Sequence, residues 1–144
     1  MQHIENVVVR LNSGKLLKGY VRDFSVHSNV VVLEEFESRQ ELRIPIIEVK
    51  AIFFVRTFEG DKSYREKKSY GLRQNLGRKV YIKFRDGEAM MGFIEGKIPW
   101  EKGFFISNPD NKVKGFYLIP TDSGSNNIKV FVVGSSIKDM TIMP

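Results

Sequence analysis

"VVVRLNSGKLLKGYV" at residues 7–21 and "VYIKFRDGEAMMGFI" at residues 80–94 are two versions of one phrase. Val7 maps to Val80, Arg10 to Lys83, Leu11 to Phe84, Gly14 to Gly87, Gly19 to Gly92, Tyr20 to Phe93 and Val21 to Ile94, at a constant offset of 73 and without a gap. Each version reads as a strand, a tight turn and a second strand. Asn12-Ser13-Gly14 and Asp86-Gly87 offer a glycine for positive φ between the strands. Gly19 and Gly92 stand inside the second strands, where a residue with no side chain to pack signals a sharp bend. A repeat of this kind in 144 residues predicts two related small units sharing a surface. Each unit, at about 60 to 70 residues, is marginal alone.

Outward from the phrase, the first unit continues through NVVVLEEF, ELRIPI and EVKAIFFVRTF, three further strands. Pro45 holds the fourth of them at an edge or a strand end, because it has no N–H for an inner ladder. The second unit repeats the plan with GFYLI (115–119), NIKVFVV (127–133) and SIKDMTIM (136–143). Val49-Lys50-Ala51-Ile52 aligns with Ile137-Lys138-Asp139-Met140 at an offset of 88, so about 15 extra residues lie inside the second unit. They form an insertion around 95–114. The expected architecture is all-β: two tandem five-stranded, strongly bent barrels, over residues 1–58 and 77–144. A basic connector, 59–76, joins them. Ser63 and Glu66 have capping-box spacing, which predicts a short helix over 64–75. "AIFFV" (51–55) and "VFVV" (130–133) are continuously apolar, so both faces of those strands are expected to be covered. The sister unit is one such cover.

The stretch Gly19-Tyr20-Val21-Arg22-Asp23-Phe24-Ser25-Val26-His27-Ser28-Asn29, followed by an apolar strand, resembles the first signature of the Sm-like (LSm) family. Phe24, His27 and Asn29 fit it, while Ser25 and Ser28 replace its Asp and Met. The resemblance implies a five-stranded bent barrel and edge strands that join barrels into rings. It also implies a base stacked on His27 and a base edge hydrogen-bonded by Asn29. The family's second signature, an Arg-Gly turn before the last strand, is replaced by Ile46-Ile47-Glu48 and Gly134-Ser135-Ser136. Across KAIFFVRTFEGD (50–61), FRDGEAMMGF (84–93) and GFYLIPTDSGSNNIKVFVV (115–133), the chain also resembles a functionally uncharacterised bacterial family of tandem domains. That resemblance implies the fold and no activity.

Composition narrows the function. The chain has no cysteine, which excludes disulfides, thiolate metal sites and a thiol nucleophile, and His3 and His27 are its two histidines. No carboxylate pair in an apolar setting, no Ser with a His partner and no Gly-rich phosphate loop can be read from it, so neither an enzyme nor a cofactor or metal site is expected. The turn-forming PTDSGSNN segment has one carboxylate and reads as a loop bonded to its own backbone. No apolar run reaches the roughly 20 residues of a membrane helix, and MQHIEN lacks signal-peptide character, so a cytoplasmic protein without a membrane partner is expected.

The net charge of +6 is concentrated: nine Lys or Arg face two acids between Asp61 and Arg85. A partner of negative charge is drawn there. Two functions follow. The first is a non-enzymatic binding or assembly module, with an unknown protein partner or a second copy engaged through barrel edges and loops. The second is binding of RNA or other single-stranded nucleic acid. Its residues would be His27 and Asn29 with Arg65, Lys67, Lys68, Arg73, Arg78 and Lys79, among which Tyr64, Tyr70 and Tyr81 interleave rings with cations. Against that, Ser25, His27 and Asn29 at a hairpin tip are also what a turn uses to bond its own backbone.

Overall fold

A computed structural model describes residues 4–56, 78–94, 114–121 and 127–143. The predicted connector, with its short helix, and nearly all of the 95–114 insertion lie outside the described residues. Among the described residues there are ten strands: β1 (Ile4–Leu11), β2 (Leu16–Arg22), β3 (Val30–Glu35), β4 (Glu41–Pro45), β5 (Val49–Val55), β6 (Lys79–Phe84), β7 (Ala89–Ile94), β8 (Gly115–Pro120), β9 (Asn127–Val133) and β10 (Ile137–Ile142). A 3-10 turn precedes the last strand of each half, at Ile46–Glu48 and Gly134–Ser136. All ten strands fall where the alternation and the turn residues put them.

The two halves repeat each other down to single hydrogen bonds. Gly14 and Gly87 take φ of +98° and +97°, and their N–H groups donate to Leu11 and Phe84. A bulge skips Lys50 between β1 and β5, and another skips Lys138 between β6 and β10. Asn12 closes onto the first 3-10 turn as Arg85 closes onto the second. Gly19 and Gly92 are needed for a reason other than a special φ. A methyl on Gly19 would overlap the Glu34 carbonyl oxygen, and one on Gly92 would stand 2.7 Å from the Ile119 oxygen. At each glycine the second strand passes too close to the third for any side chain.

The strand pairing differs from two separately closed barrels. All ten strands form one antiparallel sheet in the order β10-β6-β7-β8-β9-β5-β1-β2-β3-β4. Each half contributes its fifth, first, second, third and fourth strands in that sequence, and β9 of the second half pairs with β5 of the first. The reason lies in the two apolar runs. Ile52 and Phe54 face the first core while Ala51 and Phe53 face the second. On β9, Phe131 and Val133 fill the first core while Val130 and Val132 fill the second. Each strand at the joint therefore buries one face in its own half and the other in its neighbour's. Burying a side chain of this size contributes about 1.5 to 3 kcal/mol, so neither half completes its core alone.

Candidate functional site

The joint carries the one strongly buried charge of the described residues. Lys50 is 3% exposed and sits at a bulge, which re-aims its side chain away from the ladder. Its ammonium donates to Asp86 at 2.6 Å and to Glu88, both on the hairpin turn of the other half. The same group lies 4.7 Å from the Phe84 ring centre. Arg10 of β1 reaches Glu88 at 3.2 Å. Hydrogen bonding from Lys50 is the largest cause holding both carboxyls below the usual carboxylate range, with Arg10 adding to it at each. Beside them, the buried Ser136 hydroxyl bridges the Lys50 and Val133 carbonyls, 3.0 and 2.7 Å away. The joint thus has an apolar seam and an ionic latch at one end. The latch was legible only as an oddity: a single lysine in the apolar run VKAIFFV, and the acids Asp86 and Glu88 in an otherwise basic stretch.

A second tie crosses at the loop 23–29. Phe24 packs edge-on against Phe131 with centroids 4.9 Å apart. The Lys114 N–H donates to the Val26 carbonyl at 2.7 Å. Ser25 and Ser28 bond the loop's own backbone: the Ser28 hydroxyl accepts from the Ser25 N–H and the Ser25 hydroxyl from the His27 N–H. His27 and Asn29 are both exposed on this loop. The Asn29 carbonyl accepts from the Ile46 N–H at 2.8 Å, which sets the first 3-10 turn beside it. In the second half, Gly134 makes the matching bond to Lys114, so Lys114 is the repeat's counterpart of Asn29.

Arg78 and Lys79 are not brought to that loop. Lys79 aligns through Phe93 with Ile119, five residues along β8 from Lys114. Arg65, Lys67, Lys68 and Arg73 lie outside the described residues. Among the described residues no group of three His, Asp or Glu side chains is placed to hold a metal, and no helix is long and apolar enough to cross a membrane.

The sheet ends at β4 and β10, a fourth and a fifth strand, the same two types that meet at the joint. Their outer N–H and C=O groups have no ladder partner among the described strands. Core residues next to them are half-exposed where their counterparts at the joint are sealed. Leu42 on β4 matches Val130, which is 1% exposed, and Met140 and Ile142 on β10 match Ile52 and Phe54, at 0% and 2%. Exposed charges line both edges: Glu41 and Arg43, paired at 3.3 Å, on β4, and Lys138 and Asp139 on β10.

A protein-family model described as a family of unknown function (DUF6982) matches residues 3–144, so the chain belongs to that family. No curated protein and no solved structure matches the chain.

Proposed function

We propose that this member of a family of unknown function is a non-enzymatic protein-binding module. In this reading its halves are two tandem Sm-like units, and it accepts partner strands at the outer edges β4 and β10. The observation that carries the reading is the joint itself: β5·β9 is a working fourth-to-fifth strand contact, and one strand of each type is left over. Half-exposed Leu42, Met140 and Ile142 mark where an added strand would complete each core. The charges on the two edges keep them from pairing indiscriminately and make them selective. The test is a photo-cross-linking residue placed at Arg43, at Thr141 or, as a control, at Arg22, in protein expressed in its own cells. Protein adducts at either edge and none at Arg22 are expected. Adducts equal at all three positions, or absent from both edges, overturn the reading.

A second reading, binding of single-stranded nucleic acid, is favoured by His27 and Asn29 sharing one exposed loop beside Lys114 and the first 3-10 turn. Arg65, Lys67, Lys68 and Arg73 of the connector would supply phosphate contacts. Titration of a fluorescent random single-stranded RNA at two salt concentrations decides it. Binding that falls steeply with salt, and weakens in Asn29→Ala, supports it. No binding at about 10 µM protein in low salt is weaker than ordinary non-specific binding and excludes it.

A further inference from the structure

The β10 edge repeats the β5 edge and, among the described residues, has no strand alongside it. Lys138 occupies the bulge that Lys50 occupies in the first half. Lys83 stands where Arg10 does, and Met140 and Ile142 where Ile52 and Phe54 do. At the joint those positions hold a strand and two carboxylates of the neighbouring half. At β10 neither Lys83 nor Lys138 has an ion-pair partner among the described residues.

We propose that the β10 edge is a socket for a different protein, one that adds an antiparallel strand and presents a turn carrying two carboxylates to Lys138 and Lys83. This rests on the reading of the outer edges as binding surfaces. A second copy of this chain is a poor occupant, as the repeat itself shows. Docked in the register of the joint, a copy would offer β4 in place of β9. Arg43 would then take the position of Phe131, which is fully buried in the neighbouring core. Desolvating a guanidinium there without a partner is costly. Ser13 and Lys15 would replace Asp86 and Glu88, setting a lysine against Lys138 where the joint has a salt bridge. Glu48 would replace Ser136, pressing a carboxylate onto the carbonyls that the serine hydroxyl bridges. Ile44 would lie opposite Asp139, where Val132 meets Ala51 at the joint. The acids that fit Lys138 are present in this chain, but Lys50 already holds them. The partner strand therefore has apolar residues facing the second core, a hydrogen-bond donor opposite Asp139, and an acidic turn. The interlocking of charge and shape that joins the halves in one order also stops the chain from polymerising head to tail.

The test builds the missing partner from the chain's own parts. A donor variant carries Ser13→Asp, Lys15→Glu, Arg43→Phe and Glu48→Ser, all at exposed positions, which converts its β4 edge to the pattern of β9. Lys138→Glu in the same donor closes its own socket. Sedimentation of unmodified protein alone is expected to show no β4-to-β10 association. Mixing with the donor is expected to give a one-to-one complex, weakened about tenfold or more by Lys138→Glu in the unmodified protein. A receptor carrying Asp139→Ala, which restores the β5 residue, is expected to bind at least as well. Unmodified protein that assembles through β4 and β10 overturns the claim of a different partner and leaves the edge reading standing. A donor that melts like the unmodified protein yet binds neither receptor overturns the socket itself, while the photo-cross-links judge the edge reading separately. Should the donor fail to fold, a synthetic peptide of residues 127–136, which carries the strand without the acidic turn, is expected to bind the β10 edge weakly and without dependence on Lys138, and no binding to that edge overturns the socket.

Discussion

Lys50 shows how one residue type means different things in two copies of the same fold. At the bulge of the first half it is buried on Phe84 and held by Asp86 and Glu88; at the bulge of the second half its counterpart Lys138 is exposed. Because the carboxyls are lowered in the folded state, the latch is fully present above their ordinary unfolded values of about 4 and is lost as pH falls through the lower folded values. Thermal unfolding followed between about pH 7 and pH 2.5 is therefore expected to lose stability below about pH 4. Lys50→Met, which removes the ammonium and keeps the packing, is expected to flatten that loss. An unchanged acid limb in the variant would show that other carboxylates carry it. The Asp86→Asn, Glu88→Gln double variant leaves the ammonium buried without a counter-charge, so its melting temperature at pH 7 is expected to fall further than that of Lys50→Met. At Gly19 the prediction is steric. Gly19→Val drives a side chain into the Glu34 carbonyl, so a melting curve lowered by an equivalent of about 2 kcal/mol or more is expected. No change would mean that β2 and β3 do not approach so closely.

At the scale of strands, the sequence marked the elements well and their partnerships partly. Alternation, Asn12-Ser13-Gly14 and Asp86-Gly87 placed all ten strands, and Pro45, read as marking an edge or a strand end, stands at the end of β4, an outer strand of the sheet. Continuous apolar runs marked β5 and β9 as covered on both faces. What a single sequence lacks is pairing: periodicity reports which face is buried and is silent on which strand lies alongside. Two closed barrels and one open sheet with a shared seam therefore read alike until β9 is seen against β5. The exposed site residues were legible as a loop, and the latch was not, since Lys50 and Glu88 are distant in sequence. Shared cores make a specific prediction at this scale. Phe131 belongs to the second half and fills the first core, edge-on to Phe24 and Tyr117. Phe131→Ala is expected to cost about 3 to 5 kcal/mol and to loosen β1 and β2, read as faster amide exchange there. Exchange altered only in the second half would deny the shared core.

Over the whole molecule, duplication accounts for both stability and openness. Each half supplies the strand that its neighbour's core lacks, and a linear arrangement of two such halves leaves one strand of each kind at the ends. Those ends differ from the joint in charge, with Arg43 for Phe131 and Asp139 for Ala51, and the proposed function takes its selectivity from that difference. The most direct test of the β5·β9 joint is residue-resolved amide hydrogen exchange on the intact chain. Amides of β5 and β9 directed into their shared ladder are predicted to exchange only on global unfolding, while the outward amides of β4 and β10 exchange rapidly. Exchange in β5 or β9 as fast as at β4 and β10 would contradict the joint and everything inferred from it.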